Sequence, residues 1–315
     1  MAEQAPFVSV IVPTYNRARY TGEALDSILA QTFPDFEAVI VDDGSTDDTL
    51  DVIRPYLSDS RFKLIQQANQ GTAAARNTAI SHARGEWIAF LDCDDLWLPR
   101  KLALQAEVIR SYPRAALIFG NGIEFDEERD IGPFFRKREV FPDGADLRRV
   151  LTRNCFWTSS VMVRRRDVLE VGMLRADASG VDDYDLWLKV LERGGETRGV
   201  WEPVVRYRKR KESQGTNKAV MFGRLLRVYE EACERLDEPC LKAVAQYCVA
   251  RARADLLMVK ARESLGEGSS GLPACRRYMY AAWRECPANT KPLRLLLMSL
   301  IGRRRSVAKA LARKW

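Results

Sequence analysis

The chain has 315 residues, 46% of them hydrophobic and 30% charged, with a net charge of +7. That balance is ordinary for a globular protein, long enough for one large domain or two moderate ones, and the positive excess favours anionic surfaces or ligands. No run reaches the roughly 18 apolar residues of a membrane-crossing helix, and seven cysteines without a CxxC pair beside a single histidine, His82, argue against a structural zinc site and for reduced thiols.

Met1 to Pro6 has neither a basic nor an apolar signal-peptide segment, so a cytoplasmic location is expected. Val8 to Val12 is β-branched and predicts a first strand, ended by Pro13-Thr14-Tyr15-Asn16. A helix is predicted over Tyr20 to Gln31, with Ala24, Leu25, Ile28 and Leu29 on one face. Ala38 to Val41 is a second apolar run that stops on Asp42-Asp43-Gly44-Ser45, and a helix follows over Asp48 to Leu57. Phe62 to Gln66 reads as a short strand and Gly71 to Ala83 as an alanine-rich helix carrying Arg76. Trp87 to Leu91 is the fourth strand. It runs straight into Asp92, Asp94 and Asp95.

Four alternations of strand and helix predict a parallel, doubly wound sheet. Its strands read as continuous apolar runs because both faces are covered. Ligands of such sheets bind beyond the carboxyl ends of the strands. Capping of the next helix, near Pro99, accounts for one acid of the Asp92–Asp95 cluster but not for three; hard oxygen ligands there suit a divalent cation. Asp42 and Asp43 end the neighbouring run, where they form either a turn or part of the same crevice. No glycine follows the first strand in the dinucleotide-binding pattern, and no phosphate-binding P-loop is present.

Further on, Pro99 to Tyr112 predicts a helix and Ala115 to Gly120 a strand, followed by a polar excursion or hairpin over Asn121 to Asp146. Asn154 to Val163 reads as a strand, with Trp157 available for core packing or for stacking on a sugar. Asp182 to Leu191 is a helix with acids at its start and Gly194-Gly195 past its end. These acids suit capping and the helix dipole; two adjacent aspartates cannot both cap, and the functional alternative is that one faces the crevice as a general base. Val200 to Tyr207 is a last strand before Arg208-Lys209-Arg210-Lys211. From Gly215 onward the pattern is helical, and the tail sets Leu293 to Ile301 beside Arg303-Arg304-Arg305 and Trp315. That tail suits either an anionic membrane surface or a helix packed on its own domain.

Five motifs together carry a resemblance: Val-Ser-Val-Ile-Val-Pro-Thr-Tyr-Asn at 8–16, Val-Asp-Asp-Gly-Ser-Thr-Asp at 41–47, Gly-Thr-Ala-Ala-Ala-Arg-Asn at 71–77, Phe-Leu-Asp-Cys-Asp-Asp at 90–95 and Asp-Asp-Tyr-Asp-Leu-Trp-Leu at 182–188. In this order they resemble the family 2 glycosyltransferases of GT-A fold. The resemblance implies an α/β class: a nucleotide-binding domain over 1–212 with a mostly parallel central sheet, then an all-helical region over 213–315. It implies inverting sugar transfer from a nucleoside-diphosphate donor to a hydroxyl of a glycan or lipid-linked acceptor, in surface polysaccharide or glycolipid synthesis. By position, Pro13 and Tyr15 would touch the nucleoside, and Asp43 the base. Arg76 would lie near the base or diphosphate, and Asp92 would meet the ribose. Asp94 would ligate Mn²⁺ or Mg²⁺, and Asp183 would be the catalytic base. A carboxylate at Asp43 can accept from a pyrimidine N3–H, which favours UDP or dTDP. Nucleic acid is not an expected partner; the inner face of the membrane is, through the C-terminal tail.

The chain departs from the family at two places: Asp182 stands where Glu is usual, and Arg210 stands nearest a usual His. Two other readings remain open on sequence: a haloacid-dehalogenase-type phosphohydrolase using Asp92 as nucleophile, and a non-catalytic glycan-binding protein of the same fold.

Overall fold

The computed structural model describes residues 5–127, 129–137, 141–210, 218–266 and 272–300. The chain divides into two compact units, Met1–Ser213 and Gln214–Trp315.

The first unit is built on a nine-stranded sheet. Its first half alternates β1 (Val8–Thr14), α1 (Ala18–Leu29), β2 (Phe36–Asp42), α2 (Thr49–Ile53), β3 (Phe62–Gln66), α3 (Thr72–His82) and β4 (Trp87–Phe90). Strands β3, β2, β1 and β4 lie side by side and parallel. Their centres are apolar, and Val10, Ala38, Ile40 and Ala89 are fully buried, as expected of strands covered on both faces. The register puts Thr14, Asp42 and Gln66 at one level. Strand β4 leaves the sheet opposite Ile11, earlier than its neighbours, so the acidic run after it drops into the crevice. The chain winds outward from β1 to β3 and then returns to β1's other side. That reversal is the topological switch point where open α/β sheets bind ligands.

The second half is β5 (Leu96–Trp97), α4 (Lys101–Ser111), β6 (Ala115–Phe125), β7 (Asp130–Pro133), α5 (Leu147–Thr152), β8 (Met162–Arg164), α6 (Arg165–Glu170), α7 (Asp182–Glu192) and β9 (Glu196–Arg208). The sheet continues β4-β8-β6-β9-β5 with mixed directions, and β7 pairs with β6. The polar excursion after Gly120 therefore starts as more strand and closes as a hairpin. The stretch expected as a strand over 154–163 is mostly not one. A 3₁₀ turn occupies Thr158–Ser160, and only its end joins β8. Serine hydroxyls divert it: Ser160 donates to the Trp157 carbonyl (2.8 Å), and such local bonds compete with the ladder.

At the opposite, amino end of the strands, Glu37 is 2% exposed and fully paired. Its carboxylate accepts from Ser9 (2.7 Å), Lys63 (2.8 Å) and the Arg84 backbone (2.6 Å). Gly85 donates to the same Ser9 hydroxyl, and a Cβ there would lie 2.5 Å from the Ser9 nitrogen, so only glycine fits.

The second unit comprises α8 (Lys218–Arg235), α9 (Pro239–Gly266), α10 (Leu272–Glu285) and α11 (Lys291–Leu300). Its core is small: Ala254, Met258 and Ala261 of α9 against Cys275, Met279 and Ala282 of α10, with Leu295 of α11. No helix among the described residues is long and apolar enough to cross a membrane. The basic cluster Arg303–Arg305, Trp315 and Lys211, all named in the sequence, lie outside the described residues.

Burial raises the Glu37 carboxyl, but the hydrogen bonds from Lys63, Ser9 and Arg84 outweigh it and hold it at about 2, against an ordinary 4.5. A depressed carboxylate stabilises the fold above its unfolded value and loses that contribution as pH falls through the folded value. Glu37→Gln is expected to lower unfolding free energy by on the order of 3 kcal/mol at neutral pH. In urea titrations the gap between variant and wild type should close between about pH 4.5 and 2.

Candidate active site

The loops after β1 and β2 are laced together. Asn16 adopts a left-handed conformation (φ 47°), which asparagine tolerates. Its side-chain oxygen accepts from Thr46 N (2.8 Å), and its backbone donates to Ser45 Oγ (2.9 Å). The two aspartates closing β2 divide their work. Asp42 accepts from Ser45 N and makes the turn. Asp43, 3% exposed, reaches the head of α3: Oδ1 accepts from Gln67 Nε2 (2.7 Å) and Gln70 N (2.9 Å), and Oδ2 from Gly71 N (2.8 Å). One lone pair of Oδ2 is left over. Pro13 is a buried residue inside β1, opposite Val41, whereas Tyr15 stands exposed at the rim.

Arg76 projects from α3 into the crevice, 6% exposed. Its guanidinium spans two carboxylates far apart in sequence: Nη2 to Asp92 Oδ1 (2.6 Å) and Nη1 to Asp182 Oδ2 (3.0 Å). This contact joins the end of β4 to the start of α7. Asp182 also accepts from Gly180 N (3.0 Å). Asp183, half-buried beside it, accepts from Thr158 Oγ1 (2.7 Å) through Oδ2 and from Tyr184 N (2.7 Å) through Oδ1. Neither aspartate is the helix cap, since Val181 holds that position without a side-chain bond.

The acids after β4 are held from the other side. Asp95, 1% exposed, accepts from Ser159 Oγ (2.5 Å) and Arg208 N (3.0 Å), and Ser159 Oγ in turn accepts from Asp92 N (3.1 Å). Arg208 donates to the Asp94 carbonyl (2.9 Å), and Arg210 forms an ion pair with the Asp94 carboxylate. The structure thus brings Arg76, Asp92, Asp182 and Asp183 together at one point and Asp94 beside them. Asp43 and Tyr15 sit at the ends of the neighbouring strands, Asp43 held instead by Gln67, Gln70 and Gly71. Sequence reasoning missed Thr158, Ser159 and Arg208. The signal was the run Thr158-Ser159-Ser160, three hydroxyls interrupting an apolar strand.

This rim is electronegative. Burial first, then the neighbouring carboxylates, push Asp94 up and Asp95 well above the usual range. Burial, followed by Asp95, Asp92 and Asp94, also raises the Tyr207 phenol. Burial and then Asp182 push Asp183 up to about 6, with Thr158 and Arg76 opposing. Among the described residues no three His, Cys, Asp or Glu side chains form a closed metal cage. A Mg²⁺-type ion bridged to phosphates needs only one or two protein carboxylates. Asp94, mostly buried at the acidic rim and paired there with Arg210, fits that mode.

A mixed sheet whose parallel half ends in acids at a topological switch point, tied to the next helix by a buried arginine, defines a GT-A type domain. The chain belongs to glycosyl transferase family 2, whose family model matches residues 9–172. It is 39% identical over 175 residues to the uncharacterized glycosyltransferase alr2836 of Nostoc sp. (strain PCC 7120), the match spanning about half of each chain (52%). It is 31% identical to the putative teichuronic acid biosynthesis glycosyltransferase TuaG of Bacillus subtilis, over 75% of this chain and 92% of the relative. It is 32% identical to the Escherichia coli UDP-Glc:alpha-D-GlcNAc-diphosphoundecaprenol beta-1,3-glucosyltransferase WfgD, over 59% and 70%. Two solved structures share the fold. S. aureus TarS 1-349 in complex with UDP-GlcNAc superposes with a TM-score of 0.68 at 21% identity, covering 96% of this chain and 90% of that one. The mannosyltransferase PcManGT of Pyrobaculum calidifontis, in complex with GDP-Man and Mn²⁺, gives 0.61 at 23% identity, covering 98% and 85%. The phosphohydrolase and non-catalytic readings find no support in these matches.

Breaking one side of a buried ion-pair network leaves uncompensated charge. Arg76→Met is expected to destabilise the first unit by about 3–5 kcal/mol, read as a lowered denaturation midpoint. Adding Asp182→Asn should recover part of the loss; no recovery would mean that the pairing does not carry the stability.

Proposed function

We propose that this protein transfers a sugar, with inversion, from a nucleoside-diphosphate donor to an acceptor hydroxyl in the synthesis of a surface polysaccharide or glycolipid. The observation that carries this reading is the Arg76 bridge, which ties the acidic strand end at Asp92 to the helix bearing Asp183. In this reading Asp183 takes the acceptor's O–H proton while the acceptor oxygen bonds the anomeric carbon from the face opposite the diphosphate. The sugar–diphosphate C–O bond breaks in the same displacement. A base near 6 is ionised at neutral pH yet still accepts a proton readily, as general-base catalysis requires.

Asp94 would hold Mn²⁺ or Mg²⁺, and a bound divalent ion would offset charge on the departing diphosphate. Asp92 meets the ribose, with Pro13 and Tyr15 on the nucleoside. Arg76 lies near the base or diphosphate and keeps Asp92 and Asp182 in register. The free lone pair of Asp43 takes the N3–H of a pyrimidine, which favours UDP or dTDP. TarS in complex with UDP-GlcNAc and the UDP-Glc-dependent WfgD support a uridine donor. PcManGT with GDP-Man and Mn²⁺ supports the metal. WfgD's diphosphoundecaprenol acceptor supports a lipid-linked one.

A membrane-bound acceptor calls for contact with the lipid surface. Residues 272–315 hold eleven Lys and Arg against one acid, Glu285, so the rest of the chain is net negative. On α10 the exposed face carries Arg277, Tyr280 and Arg284, and on α11 Arg294 and Leu297. Cations beside an aromatic and an aliphatic side chain suit an anionic interface. The proposed setting is the cytoplasm, at the inner face of the membrane.

Asp183→Asn is expected to keep UDP binding by calorimetry and to lose about 10²–10⁴ in transfer rate. The wild-type rate should rise with pH through about 6; an Asn variant as fast as wild type would remove Asp183 from the role. In co-sedimentation, the full chain should pellet with phosphatidylglycerol vesicles at low salt and release at high salt. Equal binding to pure phosphatidylcholine would show that charge is not the basis.

A further inference from the structure

Arg210 occupies a carboxylate that the proposed metal needs. Its guanidinium pairs with Asp94 Oδ2, and both side chains are mostly buried, 22% and 15% exposed. Arginine is a permanent cation with no acceptor atom, so it cannot be a metal ligand. In the donor-free protein it therefore competes with a metal for the same oxygen.

The surroundings fix the strand end but leave Arg210 lightly held. Two residues before it, Arg208 is anchored at several points: its backbone to Asp95 (3.0 Å), its Nε to the Asp94 carbonyl (2.9 Å) and its Nη2 to Glu23 (2.5 Å). Its guanidinium also lies over the Phe125 and Tyr20 rings, at 4.6 and 4.9 Å. Among the described residues, Arg210 by contrast has the Asp94 pair and a distant Tyr20 ring at 6.0 Å. The segment after β9 thus brings a long cationic side chain to the acidic rim, held there by one ion pair among the described residues. A diphosphate offers what a guanidinium binds best: adjacent anionic oxygens that accept two parallel hydrogen bonds.

We propose that Arg210 is an exchangeable counter-ion. It neutralises Asp94 when no donor is present and moves to the donor's diphosphate when metal and donor arrive together. Metal binding is then weak in the free protein and strongly coupled to the nucleotide. Coupling is reciprocal: the factor by which UDP tightens Mn²⁺ equals the factor by which Mn²⁺ tightens UDP. This inference rests on the assignment of Asp94 as metal ligand.

The test measures Mn²⁺ binding directly, by electron paramagnetic resonance of the free ion, with and without UDP. Wild type, Arg210→Gln, Arg210→Lys and Asp94→Asn proteins are compared, each checked for wild-type circular dichroism. Arg210→Gln should bind Mn²⁺ about tenfold more tightly than wild type without UDP, and its UDP–Mn²⁺ coupling factor should fall by a similar amount. Arg210→Lys, a point charge without the fork, should fall between. Unchanged Mn²⁺ affinity in nucleotide-free Arg210→Gln overturns the exchange. So does a gain that persists when Asp94→Asn is added, because the ion would then bind elsewhere. If Asp94→Asn alone leaves the UDP–Mn²⁺ complex intact, the ligand assignment fails and the inference fails with it. Loss of transfer in Asp183→Asn is independent of both.

Discussion

The guanidinium of Arg76 touches both halves of the acidic crevice. It is buried, planar and always charged, and it meets Asp92 from β4 and Asp182 from α7 on two different nitrogens. A lysine at the same place would offer a point charge and no fork. The geometry also has a cost: Arg76 Nε is buried without a hydrogen-bond partner among the described residues. An unpartnered buried donor is unfavourable by about 1–3 kcal/mol. The fold tolerates it because the two carboxylates are worse off without the guanidinium than with it.

That tie explains the distribution of charge around it. Asp92 and Asp182 are each paired with the guanidinium, whereas burial first, then the neighbouring carboxylates, raise Asp94 (Asp92), Asp95 (Asp94 and Asp92) and Asp183 (Asp182). The site therefore separates carboxylates tied by Arg76 to hold the architecture from buried carboxylates that crowd one another's charge, of which Asp94 is met by Arg210 alone among the ion pairs of the described residues. Perturbed groups of the second kind are where chemistry is expected. Cys93 lies between them in sequence, yet burial and then Asp94 push its thiol up to about 12. It is a packed side chain, not a nucleophile.

Much of the first unit was legible because its signals are local. The runs at Val8, Ala38, Phe62 and Trp87 are apolar, short and bounded by polar turns, and each became a strand. The acids at 42–43, 92–95 and 182–183 were visible as clusters. Their partners were not, because pairing is set by the tertiary structure. Nothing near Arg76 in sequence says that it will meet Asp182, 106 residues away. The capping question at α7 illustrates this. Local rules allowed one of the two aspartates to cap, and the structure uses both for long-range contacts instead. β5, only Leu96–Trp97, was too short for any pattern. The false strand over 154–163 failed because its hydroxyls found local carbonyls and a buried acid.

The last link concerns what holds the Thr158 hydroxyl at Asp183. Trp157 was open to two readings, core packing or sugar stacking. Its ring lies flat on Phe134, with centroids 3.7 Å apart and an interplanar angle of 14°, and the edge contact of Phe135 sits 5.8 Å away. Aromatic pairs of this kind add about 0.5–1.5 kcal/mol beyond burial. One face of Trp157 is therefore already taken by protein. Its packing fixes the backbone immediately before Thr158, on a turn closed by Ser160 N to the Trp157 carbonyl (2.8 Å). The hydroxyl then has a defined direction toward Asp183 Oδ2. A base whose proton affinity is raised by burial needs such a donor to keep its carboxylate oriented, since free rotation would spread the acceptor's proton over several geometries. The aromatic cluster behind the crevice is in that sense part of how Asp183, the proposed base, is aimed.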